Sequence, residues 1–322
     1  MRLGLIGALS AFALATSFIG GATAQTYPTK PIRLILAYPP GGAIDFIGRT
    51  AAQRLSENIG QTVVVENKPG AGGIVATDFV VRAAPDGYTV LLTDPSIATT
   101  PSLQDNLPYD LFKDLKTVSV VGSSPNVLVV TNSLPVQSVS ELIAYGKQNP
   151  GKLNYASSGV GTSVHLAAEL LKASAGIEAT HVPYRGMAQS MADLVAGKVH
   201  MAFSSPSAAM PFISSNNIRP IATTGTKRSS AFPDLPTVQE AGVPGFYVDL
   251  WTAVFVPAAT PDNVVAKLSD ELRKALSNPE TKAALAKLGT EARGTSPQEG
   301  LTFVRSEHDR WRKVIKDANI QQ

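Results

Sequence analysis

Three stretches place glycines directly before a helical run, a combination suited to gripping an anion. The first is Tyr38-Pro39-Pro40-Gly41-Gly42-Ala43-Ile44-Asp45. Two glycines ahead of a helix let the backbone approach a ligand closely, and the unpaired N–H groups of the first turn attract negative charge. Asp45 cuts against this, since a carboxylate there either caps the turn or repels an anion above it. The capping role suits it better, although its position keeps it among the pocket candidates. The second stretch is Asn67-Lys68-Pro69-Gly70-Ala71-Gly72-Gly73, with Gly72 as candidate contact. The third runs from Tyr155 to Ser163 and supplies Ser158, Gly159, Gly161 and Thr162, with His165 one turn into the following helix. Small hydroxyls and amides stabilise an anion without the desolvation cost of a buried cation.

Other chemistry fails on spacing. A dinucleotide fingerprint needs a third glycine where Val75 stands after Gly70 and Gly72, and no G-K-[ST] follows to make a phosphate loop. A nucleophilic serine needs G-x-S-x-G, but Ala156 and Val160 flank Ser158, so Ser158 and His165 do not read as a hydrolase pair. His165, His181, His200 and His308 lack H-x-x-x-H spacing, and with no cysteine the chain has no thiolate zinc site, iron–sulfur cluster or disulfide. Neither cofactor nor metal is expected. A net charge of +3 over 322 residues, without a long Lys/Arg run, argues against nucleic acid. Met187, Met191 and Leu194 read as core.

The elements that must position these loops alternate. Ile32–Ala37 is a short, almost wholly apolar run bounded by prolines and glycines, as expected of a strand buried on both faces. Ile44, Ile47, Ala51 and Leu55 recur at helical spacing, Thr62–Val65 is a second strand, a helix opens at Gly70–Gly73, and Tyr88–Leu92 is a third strand. This βαβαβ order predicts parallel strands with helices on both faces. Further strands are expected near Val127–Val130, Asn154–Ala156, Thr180–Val182, Val199–Phe203, Arg219–Thr223 and Leu250–Val256. Helices are expected at 138–148, 163–175 and 188–196, and from Pro261 onward to about Ala318. Ser138/Glu141 and Thr237/Glu240 have capping-box spacing. Two α/β halves enclose a cleft, and ligands bind in open sheets beyond the carboxyl ends of strands.

The chain starts with Met1-Arg2, an apolar stretch of about 17 residues and a small-residue A-x-A ending before Gln25. This predicts a cleavable signal peptide over residues 1–24, hence export to the periplasm. No later stretch is long and apolar enough to span a membrane.

Several blocks, in order, resemble the Bug-type extracytoplasmic solute receptors, the substrate-binding proteins of tripartite tricarboxylate transporters. They are Tyr27-Pro-Thr-Lys-Pro-Ile-Arg33, Tyr38–Asp45, Val65-Glu-Asn-Lys-Pro-Gly-Ala-Gly-Gly73, Pro85-Asp-Gly-Tyr-Thr89, Asn149–Gly161 with His165, Val182-Pro-Tyr-Arg-Gly186, Phe232–Gly242 and Trp251. The resemblance implies an α/β, two-lobed periplasmic-binding-protein fold of type II-like form, closing over a small carboxylate. It assigns ligand contacts to Tyr38, Pro40, Gly41, Gly42 and Ala43 on one lobe and to Ser158–Thr162 and His165 on the other. Thr93 and Ser96, with Ser204 and Ser205, are expected to complete the pocket.

It further implies lobes at 25–125 plus 250–322 and at 126–249, a monomer, and large and small integral membrane proteins as transport partners. Gly197-Lys-Val-His200 departs from the family, many members of which carry an acidic residue here; His200 matters only if it reaches the cleft. A ligand-presenting sensor subunit shares this fold and pocket, and an exported hydrolase is the remaining alternative.

Overall fold

A computed structural model describes residues 27–184, 186–317 and 319–320. The expected signal peptide lies outside the described residues, as does Arg185. The chain opens with β1 (Ile32–Leu36), α1 (Ala43–Ile59), β2 (Val63–Asn67), α2 (Ile74–Val81) and β3 (Thr89–Thr93). Two short helices, α3 (Ser96–Thr99) and α4 (Leu111–Asp114), lead into β4 (Leu115–Pro125), which passes almost directly into β5 (Val127–Thr131). Then come α5 (Val139–Gln148), β6 (Leu153–Ser157), α6 (Ser163–Ala175), β7 (Ala179–Pro183), α7 (Met187–Val195), β8 (Met201–Ser204), α8 (Pro206–Ser214) and β9 (Ile218–Thr223). The chain closes with β10 (Asp249–Pro257), α9 (Asp262–Ser277), α10 (Pro279–Ala286), β11 (Glu291–Ala292) and α11 (Pro297–Asp317).

Local sequence explains most of these elements. Side chains alternate across a strand, so Ile32, Leu34 and Leu36 of β1 enter one core while Ile35 and Ala37 enter another on the opposite face. In α1 the periodic Ile44, Ile47, Ala51 and Leu55 are buried, and Gly60 ends the helix with φ 66°, where a side chain would be strained. Ser138 caps α5 by accepting from the Glu141 amide. Thr237 and Glu240 form both reciprocal capping bonds, each 3.0 Å, yet only a turn follows. Gly242, Pro244 and Gly245 interrupt any helix within five residues.

Six strands form one sheet in the order β11-β4-β10-β3-β1-β2, and five form a second in the order β7-β6-β8-β5-β9. The expected parallel pairing holds for β1 with β2 and β3, and for β6 with β7 and β8. β10 and β5, each the first strand of its sheet after a crossing, run antiparallel to their neighbours. The eleven-residue β4 was not expected from sequence, because Thr117, Ser119, Ser123 and Ser124 dilute its valines; all four are buried.

The two crossings between sheets are tied side by side. The Thr224 amide donates to the Asn126 carbonyl at 2.9 Å, the Asn126 amide donates to Thr224 Oγ1 at 2.8 Å, and the Val248 amide donates to the Thr224 carbonyl at 3.0 Å. α11 runs past both sheets. Val304 sits in a core of the first sheet, whereas Trp311, Ile315 and the following Ile320 sit in the core of the second.

Candidate functional site

Pairing of Leu36 with Leu92 sets the ends of β1 and β3 level, so the loops after them lie together. The Tyr38 hydroxyl donates to Asp94 Oδ1 at 2.6 Å, and the same oxygen accepts from the Ser96 amide (3.0 Å) and hydroxyl (2.6 Å). Burial pushes the Tyr38 hydroxyl well above its ordinary range. Burial also raises the Asp94 carboxyl, opposed by the bonds from Ser96 and Tyr38. The second glycine stretch closes onto this corner through Gly73: a Cβ there would lie 3.5 Å from Ala37 Cβ and 3.6 Å from both Thr93 Oγ1 and Ser96 Oγ. Gly72, the residue expected from sequence, is exposed, and a Cβ there would meet nothing within 4 Å. The glycine facing Thr93 and Ser96 is therefore Gly73.

In the first loop Asp45 works as a clasp. Its Oδ2 accepts from the Gly41 amide and Arg49 Nε, both at 3.0 Å, and its Oδ1 accepts from Asn67 Nδ2 at 2.9 Å. The Arg49 hydrogen bond, with help from the Gly41 amide and Asn67, pulls its carboxyl down to about 2. Hence the Asp45 carboxylate and the Gly41 amide are spent on each other and on Arg49 and Asn67, the structural role favoured for Asp45 from the sequence. Gly41, at φ 87°, turns the loop back onto that carboxylate. Pro40 is exposed and has no amide to offer. What remains is Gly42, the N-cap of α1, which brings no capping side chain to Ala43 and the first-turn amides.

The second sheet repeats the pattern. Thr162 is the N-cap of α6 but turns its hydroxyl back to the Gly159 carbonyl at 2.7 Å, leaving that helix start without a side-chain cap. The Gly159 amide donates to Ser157 Oγ at 3.1 Å and the Gly161 amide to His165 Nδ1 at 3.2 Å, so these two amides are also spent inside the protein. His165 is correspondingly a buried acceptor that holds the loop. Its ring stacks on His181 with centroids 4.2 Å apart, and His181 stacks on Tyr155 at 4.8 Å. Burial, then the neighbouring His181, lowers His165 to about 4. His181 Nε2 lies 2.6 Å from Ser157 Oγ, and Tyr155 donates to Glu169, which pairs with Lys172 at 2.7 Å. Ser158 is half-buried, and among the described residues its hydroxyl has no partner.

Ser204 is fully buried and donates to the Ser205 carbonyl at 3.2 Å; Ser205 is the uncapped start of α8. Pro206 beside them packs against Gly289 from the first sheet. The lobes also meet where Leu103 Cδ1 comes within 3.0 Å of the Cβ position on Gly161. His200 lies at the amino end of β8, away from these loops, and accepts from the Asn154 amide at 3.1 Å. Sequence reasoning missed Ser157, His181 and Asp94. The first two show themselves only through the registers Ser157↔Pro183 and Tyr155↔His181, which bring β6 and β7 together.

Residues 47–320 match the family described as tripartite tricarboxylate transporter family receptor. The chain belongs to that family. Among its relatives, Protein BugT of Bordetella pertussis (strain Tohama I) is 34% identical over 319 residues, 98% of this chain and 98% of BugT. Among solved structures, R. palustris Rpa4515 with adipate has TM-score 0.84 and 38% identity, covering 92% of this chain and 99% of that one. MatC from Rhodopseudomonas palustris with bound malate has TM-score 0.79 and 28% identity, covering 90% and 100%. As in these receptors the fold is two-lobed, and the glycine loops at the ends of β1 and β6 follow strands of different sheets.

Proposed function

We propose that the chain is a periplasmic solute receptor that binds a small carboxylate between its lobes and delivers it to the large and small membrane proteins of a tripartite tricarboxylate transporter. The observation that carries this reading is the pair of helix starts, α1 and α6. Each follows a parallel strand, each is preceded by glycine, and neither has a side-chain cap. Unpaired first-turn amides stabilise an anion by roughly 0.3–2 kcal/mol per site. The dicarboxylates in the two related structures support the ligand class.

The lobes are taken as 25–125 with 250–322 and as 126–249, with the end of α11 docking across that boundary. Residues 1–24 are the cleavable export signal. A ligand touching both lobes only when they close shifts the population toward the closed form, which a membrane partner then reads. The protein works as a monomer and makes or breaks no bond.

The test is a thermal-shift screen of mono-, di- and tricarboxylates, amino acids and aromatic acids. A ligand at a hundred times its Kd stabilises the folded state by about 2.7 kcal/mol. At least one carboxylate should raise Tm. A screen in which no carboxylate does so refutes the reading.

A further inference from the structure

Asp94 follows the last residue of β3 and is 9% exposed. Three donors, the Tyr38 hydroxyl and the Ser96 amide and hydroxyl, converge on its Oδ1. With three donors converging on it, Oδ1 acts as an acceptor. Receiving the Ser96 amide requires one oxygen and no charge, and asparagine or serine would serve as well. Its hydrogen-bond partners are Tyr38 and Ser96, and among the described residues it forms no ion pair. A buried carboxylate without a countercharge is costly to keep, and a donor group on a bound ligand would lower that cost. Next to it, Thr93 Oγ1 is buried and has no hydrogen-bond partner among the described residues, and it faces the side-chain-free Gly73.

We infer that Asp94, with Thr93 beside it, makes the pocket selective for carboxylates that also carry a hydrogen-bond donor, an ammonium foremost and a hydroxyl next. This inference rests on the receptor reading. The helix-start amides hold a ligand carboxylate, while Asp94 and Thr93 Oγ1 accept from the donor. An unsubstituted dicarboxylate brings no donor to that corner and places a second negative charge within its reach.

The test is calorimetric titration of the natural protein and of Asp94→Asn with two matched series: succinate, malate and aspartate, then adipate and 2-aminoadipate. Charge-assisted hydrogen bonds are among the strong ones, so aspartate should bind roughly tenfold or more tighter than succinate, with malate between, and 2-aminoadipate likewise against adipate. In Asp94→Asn both ratios should fall to within about threefold, with succinate and adipate gaining affinity. Thr93→Val, which removes only the neighbouring hydroxyl at nearly constant volume, should lower the same ratios and serves if Asp94→Asn does not fold. Equal binding of amino and unsubstituted members by the natural protein, or a preference that survives both substitutions, would overturn the inference and leave the receptor reading intact. No binding in either series counts against both.

Discussion

Replacing His165 with asparagine should remove most of the acid sensitivity that this residue contributes. His165 titrates near 4 in the folded protein against an ordinary value of 6.5. The native ring is neutral, with Nδ1 accepting from Gly161, so below pH 6.5 the unfolded chain takes up a proton that the folded chain refuses. Stability from this group is complete above pH 6.5, declines toward pH 4 and is flat below. Between pH 7.5 and 4.5 the two values imply a loss of about 2.5 kcal/mol. His181, lowered by burial, acts in the same direction; Glu169 opposes both and Lys172 reinforces both. Asparagine Oδ1 lies near the position of Nδ1 and can still accept from Gly161. The measurement is urea unfolding of natural protein and His165→Asn at both pH values. Carboxylates common to the two proteins cancel in the difference. The natural protein should lose about 2.5 kcal/mol more than the variant, and equal losses would refute the account of His165 as a buried neutral acceptor.

Gly42 has φ −84° and its Cβ position lies 4.0 Å from the nearest atom, the Pro39 carbonyl oxygen. Gly42→Leu should therefore fold with stability within about 1 kcal/mol of the parent, while covering the helix-start amides and abolishing the ligand-induced Tm shift. Normal binding by that variant would place the anion elsewhere. Trp311 is 2% exposed in the second core, so Trp311→Ala should cost about 3–5 kcal/mol in urea unfolding.

Strands with largely apolar runs, such as β1 and β3, were legible in the sequence, as was the periodic helix α1. β4 was not, since its buried serines and threonines carry the composition of a loop and find their environment only between β10 and β11. The glycine stretches were equally legible, but the state of their amides was not. Whether Gly41, Gly159 and Gly161 offer an N–H depends on Asp45, Ser157 and His165 folding back onto them. Such local bonds leave no mark in spacing. Asp94 stood inside a loop expected to line the pocket, yet its importance comes from convergence with Tyr38, 56 positions earlier in the chain.

Val304 and Trp311 are two helical turns apart, about 10 Å along α11, and each is anchored in a different half of the molecule. A helix packed into both halves cannot lengthen, so a relative movement that keeps both contacts turns or bends at α11 and does not part the halves there.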